Sequence, residues 1–202
     1  STNKCYEAWN NSDFDIYQEV KGAPIGVYQL SVQGFYRYGR GANAWTAYTN
    51  GTANNDVVSI YVNNNSTHFK SVFDEHVTYS GNGVGELYQN SGDLLPYINP
   101  DSTYWYPNDM GNSAIAFQNG LYKVSSYGVV ARTGDVLRVG VKGATNQLGD
   151  SWAIWDNFQM IFQGTNATVV KPLLQQAIDN INASLASAGK IGRSRTPSCS
   201  KT

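Results

Sequence analysis

Charge is scarce in this chain. Only 14% of its 202 residues are Asp, Glu, Lys or Arg, against about a quarter in an ordinary globular protein. The formal net charge is −1, so no chain-wide field points to nucleic acid or to an anionic membrane. Long apolar runs are absent too, which excludes a helical span of about 20 residues through a bilayer. Cysteine is down to two, Cys5 and Cys199. They allow one disulfide, which sequence alone does not establish, and no Cys/His cluster has zinc spacing. Nothing at Ser1 reads as a signal peptide, so the chain is expected to be a mature or excised piece. What is abundant is 14 Tyr, 5 Trp, 20 Gly and many Asn, with 41% hydrophobic residues. That suffices for one packed core at this length and suits a β-protein with many turns. The low charge beside Asn, Ser and Thr leans towards an extracytoplasmic protein. The sequons opened by Asn10, Asn50, Asn64, Asn65, Asn166 and Asn182 are read as a by-product of Asn richness rather than as glycosylation sites.

From Phe14 to Phe162 the hydrophobic period is two. Tyr28, Leu30 and Val32 alternate with Gln29, Ser31 and Gln33. Val58, Ile60 and Val62 alternate with Ser59 and Tyr61. Leu137, Val139 and Val141 face inward, with Arg138 and Lys142 outward. In the last strand, Trp152–Phe162, alternation puts Ile154, Phe158, Met160 and Phe162 on one face and Trp155, Asn157 and Gln159 on the other. Turn signals such as Gly39-Arg-Gly41, Asn119-Gly120 and Thr133-Gly134 separate these runs. The pattern predicts an all-β, antiparallel sandwich over residues 1–164. The stretch from Tyr79 to Asn112 shows no sustained alternation and reads as a long functional loop. After Gly164 the spacing turns helical. Pro172 suits a first turn and Gly189 an end, so residues 165–202 read as a linker helix followed by a disordered or appended tail.

Catalytic signatures are thin. Glycoside hydrolysis needs two carboxylates facing one bond, and the chain has four Glu in all. The densest ionisable cluster is Asp74-Glu75-His76. In a strand only Asp74 and His76 would converge, and a solvated turn is the simpler reading. No nucleophile elbow, zinc helix or phosphate loop is present. His68 and His76 read as ordinary strand or surface residues.

Aromatic rings beside amides and cations are the stronger signal. Sugars offer apolar C–H faces for rings and hydroxyls for oriented hydrogen bonds. Such residues cluster at Phe35–Tyr38, Trp45/Tyr48, Tyr104–Asn108 and Trp152–Asn157. Tyr28, Phe158 and Phe162 are assigned to the core by parity, and one ring of Tyr104–Tyr106 is expected to pack inward. The predicted ligand surface is a sheet face of Gln33, Arg37, Trp155, Asn157 and Gln159, rimmed by Tyr36, Tyr38, Trp105 and Trp152. Gly34 allows a bulge that would exchange Phe35 and Tyr36.

Cys5-Tyr-Glu-Ala-Trp-Asn10, Phe14–Val20, Gly22–Arg37, Tyr106-Pro-Asn-Asp-Met110, Phe117-x-Asn-Gly120-x-Tyr122 and Trp155-Asp-Asn-Phe158 occur in that order. The series resembles β-sandwich carbohydrate-binding modules appended to secreted Bacteroidetes polysaccharide-degrading enzymes, and covers residues 5–164. The resemblance implies a galactose-binding-domain-like jelly roll, a bacterial secreted or cell-surface location and an attached catalytic domain. It implies a non-catalytic role, holding a glycoside hydrolase or esterase on plant cell-wall polysaccharide, with xylan or β-glucan preferred. No nucleic acid or membrane partner is expected. The alternatives are a small β-sandwich lyase or esterase, and a structural spacer whose rings are all core. Related modules begin with a strand that this chain lacks, which a trimmed chain or a partner would explain. The resemblance also implies a structural calcium ion near the termini. Asp156 shares the parity of Ile154, so its carboxylate should point inward; Glu7 and Asp156 are the candidate ligands. Equally, Asp156 can accept backbone N–H groups and bind nothing.

Overall fold

The computed structural model describes residues 5–10, 13–54, 56–78, 104–143 and 150–165, with 171, 172, 175, 178, 179 and 182 beyond them. The chain divides into two compact units, Ser1–Phe162 and Gln163–Thr202. In the second, Lys171, Pro172, Gln175, Ile178, Asp179 and Asn182 have helical backbone.

The first unit is built on two sheets. One holds β1 (Tyr6–Trp9), β11 (Trp152–Gly164) and β3 (Gly26–Arg37) as neighbours. The other edge of β3 is taken first by β9 (Lys123–Val130), antiparallel from Gly26 to Gln33, and then by β6 (Lys70–Ser71), parallel at Phe35 and Tyr36. The second sheet has the order β2 (Phe14–Val20), β10 (Leu137–Gly143), β4 (Val58–Val62), β5 (Asn65–His68), antiparallel throughout. A separate pair joins β7 (Val77–Thr78) to β8 (Tyr104–Trp105). Helix α1 spans Gly41–Thr49 and helix α2 spans Met110–Gln118.

The period-two residues do what alternation demands. Tyr28, Leu30, Val32 and Tyr36 of β3 meet Val58, Ile60 and Val62 of β4 and Leu137 and Val141 of β10 in one cluster between the sheets. This all-β sandwich agrees with the expected fold class. β3 keeps its alternation through Gly34, so Tyr36 faces the sandwich and Phe35 the opposite side.

A second core lies on that opposite side. Phe35, Trp152 and Ile154 from the sheet pack with Ala44 of α1, Ala114, Ala116 and Phe117 of α2, and Val72, Phe73, Tyr106 and Tyr122. The five-stranded sheet is therefore covered on both faces at its β3–β11 centre. The Asp109 side chain accepts from Asn112 N at 2.8 Å and caps α2. Met110–Asn112 thus belongs to a helix, not to a loop; residues 79–103 of the expected loop lie outside the described residues.

Asn157 has φ 58°, the left-handed region that Asn tolerates better than most residues. It acts as a bulge. Before it, Trp152 and Ile154 face the helices, while Ala153 and Trp155 face the sandwich. After it, Phe158 shares a groove with Trp155 and Phe162 reaches Tyr28, ring centroids 5.1 Å apart. Phe158 and Phe162 were expected in the core with Ile154. They lie instead on the Trp155 side and are 45% and 49% exposed.

Candidate functional site

The predicted sheet face is not open. Trp155 is 2% exposed, stacked on Phe14 at 5.7 Å and 7°, because the bulge falls after it and the sandwich covers its face. Gln33 is buried under α2 and donates to the carbonyls of Phe117 and Leu121 at 2.7 and 2.8 Å. Tyr36 is core, not rim, and Tyr38 packs half-buried against the same cluster. Asn157 and Gln159 are exposed, with Asn157 Nδ2 donating to Gln33 Oε1 at 2.7 Å. Trp105 pairs through its backbone with Val77. Tyr106 packs inward, in the helix-side core, and the side chains of Tyr104 and Trp105 lie outside the described residues.

Arg37 and Trp152 are buried too, but they form the back of an open pocket of about 240 Å³ at one end of the sandwich. Here β1 ends at Trp9, β3 at Arg37, and β11 begins at Trp152. Both helices start here, α1 from Arg40 and α2 from Asp109. The Arg37 guanidinium and its Nε hold the floor. They donate to the Gly39 carbonyl at 2.9 Å, to Asn108 Oδ1 and to the Asp150 carbonyl at 3.0 Å, with the Trp152 ring 5.3 Å from Cζ. Trp152 Nε1 donates to Glu7 Oε2 at 2.8 Å. Over this fixed floor Trp9 is 50% exposed, and among the described residues no ring or guanidinium stacks on it. Glu7, Arg40, Asn108, Asp109 and Met110 complete the wall. The arrangement offers one apolar ring face beside polar side chains whose positions are set by neighbours.

A second polar surface lies on the outer face of the four-stranded sheet, where alternation had placed Arg138 and Lys142. Arg138 Cζ sits 3.6 Å from the centre of the Tyr17 ring and its Nη2 lies 2.8 Å from Asp15. Tyr61 donates to Asp15 Oδ1 at 2.6 Å and accepts from Arg138 Nε at 3.2 Å. Burial, then the bond to Asp15, pushes the Tyr61 phenol up to about 12. The ring faces here are already used within the sheet, so this surface offers less for stacking than Trp9 does.

The ionisable cluster is structural. Asp74 accepts from Tyr48 Oη at 3.0 Å and from Ser71 N at 2.7 Å. Glu75 pairs with Lys70 and accepts from Tyr122 N. His68 Nδ1 shares a hydrogen bond with Ser59 Oγ at 3.0 Å. That pair faces across the β4–β5 ladder, where Ser59 is buried.

Glu7 and Asp156 were the candidate calcium ligands. Glu7 already accepts from the Trp152 indole, and Asp156 from Asn157 N at 2.7 Å and from the Cys5 thiol. Calcium takes six to eight oxygens, and among the described residues no three acidic, His or Cys side chains converge. Cys5 is a buried free cysteine; Cys199, the other half of the one disulfide the sequence allows, lies outside the described residues.

The sequence missed Trp9 and both helix starts. The signal for Trp9 was its place at the end of a four-residue strand, Tyr6–Trp9, exposed at three of its positions. Compared with protein-family models, with curated proteins and with solved structures, the chain matches none.

Proposed function

We propose that the chain is a non-catalytic carbohydrate-binding module whose site is the end pocket under Trp9. The observation that carries this reading is the half-exposed indole sharing a pocket with hydrogen-bonding side chains that their neighbours hold, Asn108 by Arg37 and Glu7 by Trp152. An apolar ring face meets the C–H face of a pyranose, and the amide, carboxylate and guanidinium groups around it read hydroxyls. At about 240 Å³ the pocket falls below the roughly 300–1,000 Å³ usual for small-molecule sites. It therefore suits a single ring, such as the end of a chain, rather than a long stretch of polymer.

Xylan or β-glucan of plant cell walls is the preferred ligand. The module would hold an attached glycoside hydrolase or esterase on it, outside the bacterial cell. Jelly-roll connectivity and a full linker helix after Gly164 belong to the same proposal. The test is affinity electrophoresis in gels containing soluble polysaccharides, followed by calorimetry with the matching oligosaccharide. Trp9→Ala is expected to weaken binding about tenfold, the equivalent of roughly 1.4 kcal/mol, with an unchanged melting temperature. Wild-type affinity in that variant would move the site elsewhere. No retardation by any polysaccharide would reject sugar binding, and release of reducing sugar would establish an enzyme instead.

A further inference from the structure

Asparagine followed by glycine is chemically unstable. The glycine nitrogen attacks the asparagine Cγ, ammonia leaves, and the succinimide ring so formed takes up water to give aspartate or isoaspartate. Glycine has no Cβ to hinder the attack. Two such pairs lie among the described residues, Asn50-Gly51 and Asn119-Gly120; a third, Asn82-Gly83, lies outside them. The two described pairs share one backbone. Asn50 and Asn119 each follow the last residue of a helix, with φ, ψ of −84°, −3° and −79°, 4°. The glycines after them are left-handed, φ 67° and 80°. Each glycine N–H returns to the carbonyl three residues back, Tyr48 at 3.1 Å and Phe117 at 2.9 Å. Both asparagines are exposed. With ψ near zero the glycine nitrogen eclipses the asparagine nitrogen and stands away from its Cβ, so the turn must open before the ring can close.

What differs is what holds each turn shut. The buried Gln33 amide donates to the Phe117 carbonyl at 2.7 Å and to the Leu121 carbonyl at 2.8 Å, one on each side of Asn119-Gly120. Asn119 Nδ2 is itself tied to the Ile115 carbonyl at 3.0 Å. Tyr122, just beyond, is fully buried, and its hydroxyl donates to the carbonyls of Val72 and Glu75 at 2.8 and 2.7 Å. Opening this turn breaks those bonds. Around Asn50-Gly51 the turn is held at the surface: Thr52 is exposed, and its N–H and that of Ala53 return to the Ala47 carbonyl. Among the described residues the Asn50 side chain makes no hydrogen bond. Local opening is easiest where few buried contacts are lost. We propose that Asn50-Gly51 is a site of spontaneous isoaspartate formation, and that Gln33 keeps Asn119-Gly120 from the same reaction. The reaction needs water alone as co-reactant and releases ammonia. The new carboxylate falls at the C-terminus of α1, the negative end of the helix dipole. The inference is independent of the sugar-binding reading.

Ageing the whole 202-residue chain in mildly alkaline buffer tests it, with peptide mapping by mass spectrometry and electron-transfer fragmentation to separate isoaspartate from aspartate. Asn50 is expected to convert at least about tenfold faster than Asn119, since the second turn loses more hydrogen bonds on opening. In urea, where both turns are lost, the two rates should converge. Gln33→Met keeps the length of the side chain and removes its donors; in the folded variant Asn119 should speed up while Asn50 is unchanged. Native-state hydrogen exchange makes the same comparison without a substitution, with Gly120 N–H about tenfold better protected than Gly51 N–H. Equal rates in the folded chain overturn the proposal, as does an Asn50 that stays intact. A gap that persists in urea would place its cause in the sequence rather than the fold. Equal protection of the two glycines, or a folded Gln33→Met in which Asn119 stays slow, overturns the part given to Gln33.

Discussion

Arg37 ties together the end of its own strand, the loops at Gly39 and Asn108, and the Asp150 carbonyl. A planar guanidinium with five donors in a fixed fork is suited to such a task, where a lysine offers three donors from a single nitrogen and cannot span the same partners. Its residue type was legible as part of the site, but its role was not. Alternation along β3 gave the face, and nothing local said that a helix would cover it. Trp155 shows the same limit at finer grain. Strict alternation holds from Trp152 to Trp155, and the left-handed Asn157 resets it; an Asn in a strand gives no sequence-level sign that it will take that conformation. Cys5 carries a measurable consequence. Burial first, and then Asp156, pushes its thiol up from an ordinary 9.0 to about 11. The folded state therefore favours the neutral thiol. That contribution is fully present below about pH 9 and is lost as pH rises towards about 11, where the unfolded chain ionises and the folded one does not. In urea titrations the stability gap between wild type and Cys5→Ala should be constant up to about pH 9 and narrow towards pH 11. A gap that is flat across that window would remove the argument.

β3 is the element on which the fold turns. It pairs along both edges and is packed on both faces, sandwich on one side and helices on the other. Gly34 is where that crowding is tightest. A Cβ there would lie 2.8 Å from Phe69 Cζ and 3.0 Å from both the Ile154 carbonyl oxygen and Trp155 Cβ. The carbonyl belongs to a paired strand and cannot give way cheaply. Gly34→Ala should therefore cost about 1–3 kcal/mol, the range for overpacked cores. It would be read as a lower urea midpoint with an unchanged slope, and wild-type stability would show that β11 can step back. Gly34 had been read as licence for a bulge; close approach is its actual use. The strands themselves were legible because one buried face imposes period two. The helices were not. Each is nine residues long, and their alanines, Ala44 in α1 and Ala114 and Ala116 in α2, pack closely against a sheet without a wide apolar stripe. The Asp109 cap ahead of Ala114-Ile-Ala-Phe117 was the one local sign of α2.

At the scale of the whole molecule, among the described residues helices cover one sheet and a self-satisfied polar network lies on the other, and the proposed sugar site is the pocket at the end of the sandwich. β-sandwich architecture followed from the turns and alternation; the position of the open surface depended on which layers meet, which no single stretch of sequence records. The connectivity has a further effect, on time rather than on energy. Among the described residues the four-stranded sheet contains one local hairpin, β4–β5, whose facing residues Ser59 and His68 are 9 apart in sequence. Other contacts close far longer loops: 96 residues from Gln29 to Ser125, 123 from Asp15 to Arg138, 145 from Glu7 to Trp152. Each such closure is an entropic cost met before its contacts form, and chains dominated by them fold slowly. Refolding followed by tryptophan fluorescence in a stopped-flow mixer should fall in the millisecond-to-second range typical of such topologies; a faster rate would contradict the topology. The hairpin, able to form in about 1–10 μs, is the natural seed. β1 closes the longest of these loops, so it should be the last strand to dock in refolding and the first to let go under partial denaturation.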